Sequence, residues 1–220
     1  MSIMANLVND VWKYLDSESC IRRDINRGLI NTRALAKYLI EKHHIEGNLD
    51  AVISAIRRYD LEKHEDVFIL AHKKLALTAS LSTKSNLVNL AFMKDTEIQR
   101  LIPKLFEIIK YTRGEVLRII QADEAIKVLV DEKNIEKIME LIPENKIISI
   151  DKNLAEINMH TNPAVKYTPG IVATITNELA INDVNLVEVM TCFPELLWFM
   201  DEKYLLKAYH VLYQLCLKKS

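Results

Sequence analysis

The sequence predicts an α+β protein: a helical domain over residues 1–80, then two β-α-β-β-α units over 82–152 and 153–220. Three observations predict it. Apolar residues keep a helical period up to about residue 80, after which short alternating runs take turns with helical ones. An internal repeat runs through the second part. Asn86-Leu87-Val88-Asn89-Leu90 aligns with Asn153-Leu154-Ala155-Glu156-Ile157 at an offset of 67, and Asp131-Glu132-Lys133 aligns with Asp201-Glu202-Lys203 at an offset of 70. The chain is also poor in breakers of regular structure, with 4 Gly and 5 Pro in 220 residues.

In the first part, Leu29 to Leu39 reads as a helix with Asn31 or Thr32 as its N-cap and Leu35, Ala36 and Leu39 on its apolar face. Glu46-Gly47-Asn48 is a turn. A second helix over Leu49 to Tyr59 carries Val52, Ala55, Ile56 and Tyr59 at helical spacing, with Arg57 and Arg58 opposite. The polar run Ser80 to Ser85 reads as a weakly structured boundary.

In the first copy of the repeat, Leu87 to Phe92 is a strand. Ile98, Leu101, Ile102, Leu105, Ile108 and Ile109 mark a helix face that Gly114 stops. Glu115 to Gln121 and Ala125 to Val130 are strands around a turn at Asp123, Ile135 to Ile142 is a short helix ended by Pro143, and Lys146 to Ile150 is a closing strand. In the second copy, Leu154 to Met159 is a strand, and Ile171, Ile175 and Leu179 mark a helix closed by Asn182-Asp183. Strands at Asn185 to Thr191 and Leu196 to Met200 turn at Pro194, and Leu205, Leu206, Tyr209, Leu212 and Tyr213 face one way on a last helix. The chain ends at Ser220 with no obvious fourth strand for this copy, which is missing or comes from elsewhere. A β-α-β-β-α-β unit puts helices on one face of an antiparallel sheet and leaves the other bare. The cheapest cover is the other copy or a second subunit, so paired copies and a homodimer are expected.

Tyr167-Thr168-Pro169-Gly170-Ile171-Val172-Ala173, followed by Asn177 to Asn185, resembles an ACT domain of the aspartokinase type, with a Thr-Pro-Gly turn opening the first helix and an Ile-Asn pair ahead of the second strand. The resemblance covers about 82–218 as a tandem pair of ferredoxin-like units. It implies a regulatory module that binds a small ligand, usually an amino acid, between paired units and switches an attached enzyme or DNA-binding domain. The residues support such a site on their own account. Thr168, Pro169, Gly170 and Ile171 open a helix whose free N–H groups and dipole suit a carboxylate, and Asn182, Asp183 and Asn185 offer acceptors for an amino group. The same residues also make a good helix start and a good turn. In the first copy, Lys94-Asp95-Thr96-Glu97 puts two carboxylates at the corresponding place, so one site per chain is expected.

The pattern Leu-Ala-x-x-Leu followed by Ala-Val-x-x-Ala-Ile-Arg-Arg-Tyr resembles a helix-turn-helix of the winged-helix kind over about residues 5–75, which implies a three-helix domain whose second motif helix enters a major groove. Arg33, Arg57 and Arg58 are the DNA-binding candidates. Residues 1–80 hold 12 Lys and Arg against 11 Asp and Glu, a net of +1 that falls short of a basic footprint. The competing reading is a compact packing unit whose arginines, Arg22, Arg23 and Arg27 among them, are solvated or paired with Asp24, Asp50 and Asp60.

The whole chain carries a net charge of −1, so it has no global field for nucleic acid or anionic membrane. No apolar stretch is long enough to span a membrane and no secretory leader is evident. Cys20, Cys192 and Cys216 are odd in number and far apart, which argues against disulfides and thiolate zinc sites and for a cytoplasmic protein. Cys192, beside Phe193-Pro194, is expected to be buried, and His160 is a candidate lining residue. No metal is expected at His43, His44, His64 and His72, since binding would need distant elements to converge. No cofactor loop or catalytic motif is present and no catalytic residue is assigned. The combined reading is a non-enzymatic amino-acid-sensing regulator, in one form a transcription regulator; the alternatives are a dimerisation module or a regulatory subunit of a biosynthetic enzyme.

Overall fold

The structure is a computed structural model that describes residues 3–59, 67–78 and 80–217. Asp60 and His64 lie outside these residues. The chain divides into two compact units, Met1–Val67 and Phe68–Ser220.

In the first unit, α1 (Ile3–Ser17), α2 (Ser19–Asn26), α3 (Thr32–His43) and α4 (Leu49–Arg57) follow one another. Asn31 caps α3 by accepting from the N–H groups of Arg33 and Ala34, and Asn48 caps α4 by accepting from Ala51. Leu7, Val11 and Leu15 of α1 close a core with Leu35, Ala36 and Leu39 of α3 and Val52, Ala55 and Ile56 of α4. The Trp12 indole N–H donates to the Ala55 carbonyl at 3.0 Å. A Cβ at Gly47 would lie 2.8 Å from Leu7 Cδ1, so a larger residue there has to displace the Leu7 side chain from this core. The described residues of this unit form four helices where a three-helix winged domain is expected, and they do not show the winged arrangement.

The second unit opens with α5 (Val67–Thr78) and β1 (Ser80–Met93). Then come α6 (Thr96–Ile108), β2 (Leu117–Gln121), β3 (Ala125–Asp131), α7 (Ile135–Met139) and β4 (Ile147–His160), followed by α8 (Ile171–Ile181), β5 (Glu188–Cys192), β6 (Glu195–Asp201) and α9 (Leu205–Cys216). The compact boundary falls ahead of α5 rather than at Ser80–Ser85, because Ala71 and Leu75 are fully buried in the core of the second unit. Ser80 to Ser85 is itself strand. Gly114 does not stop α6; that helix ends at Ile108, and Gly114 closes a separate 3-10 turn, Tyr111–Arg113, in the left-handed conformation (φ 71°).

All six strands form one antiparallel sheet in the order β2-β3-β1-β4-β6-β5. Its two central strands are each 14 residues long and belong to both copies. The upper part of β1, Leu87 to Met93, pairs with β3 as the first strand of copy one, and its lower part, Ser80 to Lys84, pairs with His160 to Glu156 of β4. In turn, β4 closes copy one with Ile147 to Asp151 and opens copy two from Leu154, where β6 joins it. The fourth strand of copy two is therefore present in the same chain, upstream of copy one. Asn86 (φ 56°) and Asn153 (φ 57°), equivalent in the repeat, mark where each strand changes hands. Asn is one of the few side chains that tolerates this left-handed backbone.

Helices α6 and α7 cover copy one over Val88, Leu90, Phe92, Ile126, Val128 and Val130. Copy two is covered by α8, α9 and α5, over Ile157, Met159, Leu196, Trp198 and Met200. The opposite faces close on each other around Leu87, Leu129, Leu154, Leu197 and Phe199. Ion pairs cross this layer between strands that a flat sheet would hold apart: Lys127 of β3 meets Glu188 of β5, four strands away, where flat spacing would be about 19 Å. Arg118 of β2 reaches Glu156 of β4 through two hydrogen bonds of 3.1 Å. The sheet is curled so that each copy covers the other's bare face.

Candidate functional site

Copy two presents an open helix start. A 3-10 turn, Pro163–Tyr167, leads from β4 toward α8, and the Thr168 N–H donates to the Val165 carbonyl at 3.0 Å. Pro169 fixes the approach. Gly170 then occupies the N-cap of α8 with φ 81° and ψ −3°, and no side chain caps the helix. The first N–H groups of α8, from Ile171 on, have no partner within the helix, which makes its tip a partial positive charge. In the preceding turn, the Lys166 ammonium lies 5.7 Å from the centre of the exposed Tyr167 ring. One turn into the helix, Thr174 is buried and its hydroxyl has no hydrogen-bond partner among the described residues.

Copy one is closed at the same place. Asp95 caps α6 by accepting from the Ile98 N–H at 2.9 Å, and its other oxygen meets the Lys146 ammonium. Glu97 lies 3.8 Å from the same ammonium. The Lys146 hydrogen bond and the Ile98 N–H hold the Asp95 carboxyl below its usual range, and Asp95 raises Lys146 in turn. The chain thus supplies its own anion to this helix.

Within one chain the candidate ligand residues do not all converge. Thr168, Pro169, Gly170 and Ile171 sit at the start of α8, whereas Asn182 and Asp183 close its far end, about 16 Å away for an 11-residue helix. Asn182 is occupied there, its amide donating to the Glu178 carbonyl at 2.8 Å, and Asp183 takes a left-handed turn (φ 53°) that lets Val184 bond back to Leu179. Asn185 precedes β5 at the same far end. His160, Glu195 and Cys192 form one row at the near end, and Thr161 ties it to the β5–β6 turn through its N–H and hydroxyl on the Pro194 carbonyl, at 2.8 and 3.0 Å. Cys192 is exposed, against the expectation of a buried thiol, because β5 is an edge strand that ends at this turn. Thr174, which sequence reasoning did not single out, lies one turn from the tip.

In the N-terminal unit, Arg33 lies in the first turn of α3, Arg57 ends α4, and Arg58 caps it with its Nε on the Ser54 carbonyl at 3.2 Å. Arg23 and Arg27 share Asp24, at 3.0 and 3.8 Å. Tyr59 bonds Asp16 across the unit, and burial together with that carboxylate raises its hydroxyl pKa while Arg22 pulls it the other way. Much of the arginine cluster is therefore engaged inside the unit. Among the described residues no group of His, Cys, Asp and Glu is arranged to hold a metal, and no helix is long and apolar enough to cross a membrane.

No known family's sequence model matches this chain, and no curated protein matches it. Solved structures do. The aspartate kinase of Clostridium acetobutylicum, described as an allosteric enzyme, superimposes with a TM-score of 0.51 at 17% identity, over 62% of this chain and 34% of that one. A structure of aspartokinase alpha and beta subunits gives a TM-score of 0.50 at 17% identity, over 62% of this chain and 96% of that one. Only the second unit is large enough to hold such a share. It has an ACT-type fold. This chain thus spans about a third of the Clostridium enzyme's length and nearly all of the second match.

Proposed function

We infer that this protein is a non-catalytic regulator that senses an amino acid with copy two of its ACT-type unit. The observation that carries the reading is the uncapped α8 start at Gly170, set against the equivalent α6 start, which Asp95 and Lys146 fill. A ligand carboxylate takes on α8 the place that Asp95 takes on α6. Asn182, Asp183 and Asn185, the acceptors proposed for the ligand's amino group, stand at the far end of α8 within one chain, and a homodimer brings them to the tip. Among the described residues the outer edge of β5 has no neighbouring strand, and β5 runs from the Asn185 end toward the tip. Antiparallel pairing of two such edges sets Asn182, Asp183 and Asn185 of the partner subunit beside the tip of this one.

A thermal-shift screen of the full chain against the twenty L-amino acids tests the site. At a concentration a hundredfold above Kd, a true ligand raises Tm by about 5 °C or more. Gly170→Asp removes the shift, while Gly170→Asn, which has the same shape without the charge, keeps part of it. No stabilisation by any amino acid, or equal stabilisation of the aspartate variant, refutes the reading.

The output of the sensor belongs to the N-terminal unit. Arg33, Arg57 and Arg58 are its DNA candidates, all three exposed, with the Arg58 Nε also donating to the Ser54 carbonyl. A gel shift on genomic fragments that weakens with salt, and further in Arg33→Ala and Arg57→Ala, assigns that output to DNA; salt-independent or absent retention assigns it to a protein partner.

A further inference from the structure

We propose that copy two alone is wired to α5, the helix that opens the second unit, so that the state of α8 is passed to that helix and not to copy one. The inference rests on the open start of α8 being the ligand site. Three observations carry it. The chain enters the second unit through α5, and the strand that follows at once, Ser80 to Lys84, is the closing strand of copy two. Ala71 and Leu75 of α5 are fully buried in the same core as Ile171, Ile175 and Leu179 of α8. The core of copy one, from Val88 to Ile142, contains no residue of α5.

Copy one follows α5 in sequence yet shares no core with it, and its own helix start is held shut by Asp95 and Lys146. A shift of α8 in a close-packed core has to be met by its neighbours, and α5 is the neighbour that shares this core from outside the repeat. A ligand moves that equilibrium by no more than its difference in affinity for the two seatings of α8. Copy one serves as a fixed frame that supplies the Leu87–Met93 part of β1 and the Ile147–Asp151 part of β4.

Amide hydrogen exchange on the full chain tests this without a ligand. Ile175→Val thins the packing around α8, and exchange in α5 peptides rises about fivefold. Ile98→Val makes the same change in copy one, speeds α6 and leaves α5 at the wild-type rate. An Ile175→Val protein with unchanged α5 exchange, or an Ile98→Val protein in which α5 speeds up as much, overturns the wiring. Any amino acid that raises Tm then slows α8 and α5 together but not α6. Slowing of α8 with α5 unaffected overturns the wiring and leaves the ligand site standing, whereas an amino-acid screen without a hit strikes the site and not the variant pair.

Discussion

Asn86 and Asn153 hold the left-handed conformation at equivalent points of the two long strands. Replacing either with Ala puts a Cβ-bearing residue without a helpful amide at positive φ and should cost about 1 kcal/mol, while Gly should be close to neutral; urea denaturation of the two variants measures the difference. The Glu115 carboxylate makes a second residue-scale prediction. It accepts from the Lys110 N–H at 2.8 Å and the Asn134 amide at 3.1 Å and lies 3.0 Å from the Lys133 ammonium, with its side chain 6% exposed. The Lys110 N–H first, and then Lys133, hold its pKa down at about 2, from an ordinary 4.5. A carboxyl depressed on folding gives stability that is present above its unfolded pKa and fades as pH falls toward the folded value. The Tm advantage of wild type over Glu115→Gln should therefore be full at neutral pH, shrink below about pH 4.5 and be gone near pH 2.

The elements of both copies were legible because each carries its own period. Ile98 and Leu105, and Ile171, Ile175 and Leu179, are buried on the helix faces that the spacing marks, and the 67- and 70-residue offsets located the repeat. The lower half of β1 was not legible. Ser80 to Ser85 is polar, and its strand conformation comes from pairing with β4 some 76 residues later, a contact that local pattern does not encode. The same pairing explains why copy two looked unfinished. A fragment of residues 153–220 lacks its closing strand and should stay unfolded or aggregate, whereas 68–220 should fold cooperatively; far-UV circular dichroism with urea titration distinguishes them. At the candidate site, Gly170 was legible because Pro-Gly at a helix start has a local signature. The separation of Asn182 and Asp183 from it is a matter of helix length, and the engagement of Arg22, Arg23, Arg27 and Arg58 depends on tertiary neighbours.

At the scale of the molecule, the curl of the sheet is held by an apolar layer and by charges that cross it. Glu156 is 1% exposed, and its carboxylate depends on Arg118. Arg118→Ala leaves that charge buried without its partner and should destabilise the second unit by about 3 kcal/mol, while Arg118→Met combined with Glu156→Leu should recover most of the loss. Recovery in denaturant unfolding separates the cost of an unpaired charge from that of lost packing. The sharing of the two long strands has a consequence for how such a protein can change. Recombination at the seam near residue 152 would deliver a half with a ragged border, so neither repeat can be gained or lost cleanly. Diversity among descendants of this chain should therefore build up by substitution at the helix starts, leaving repeat number fixed.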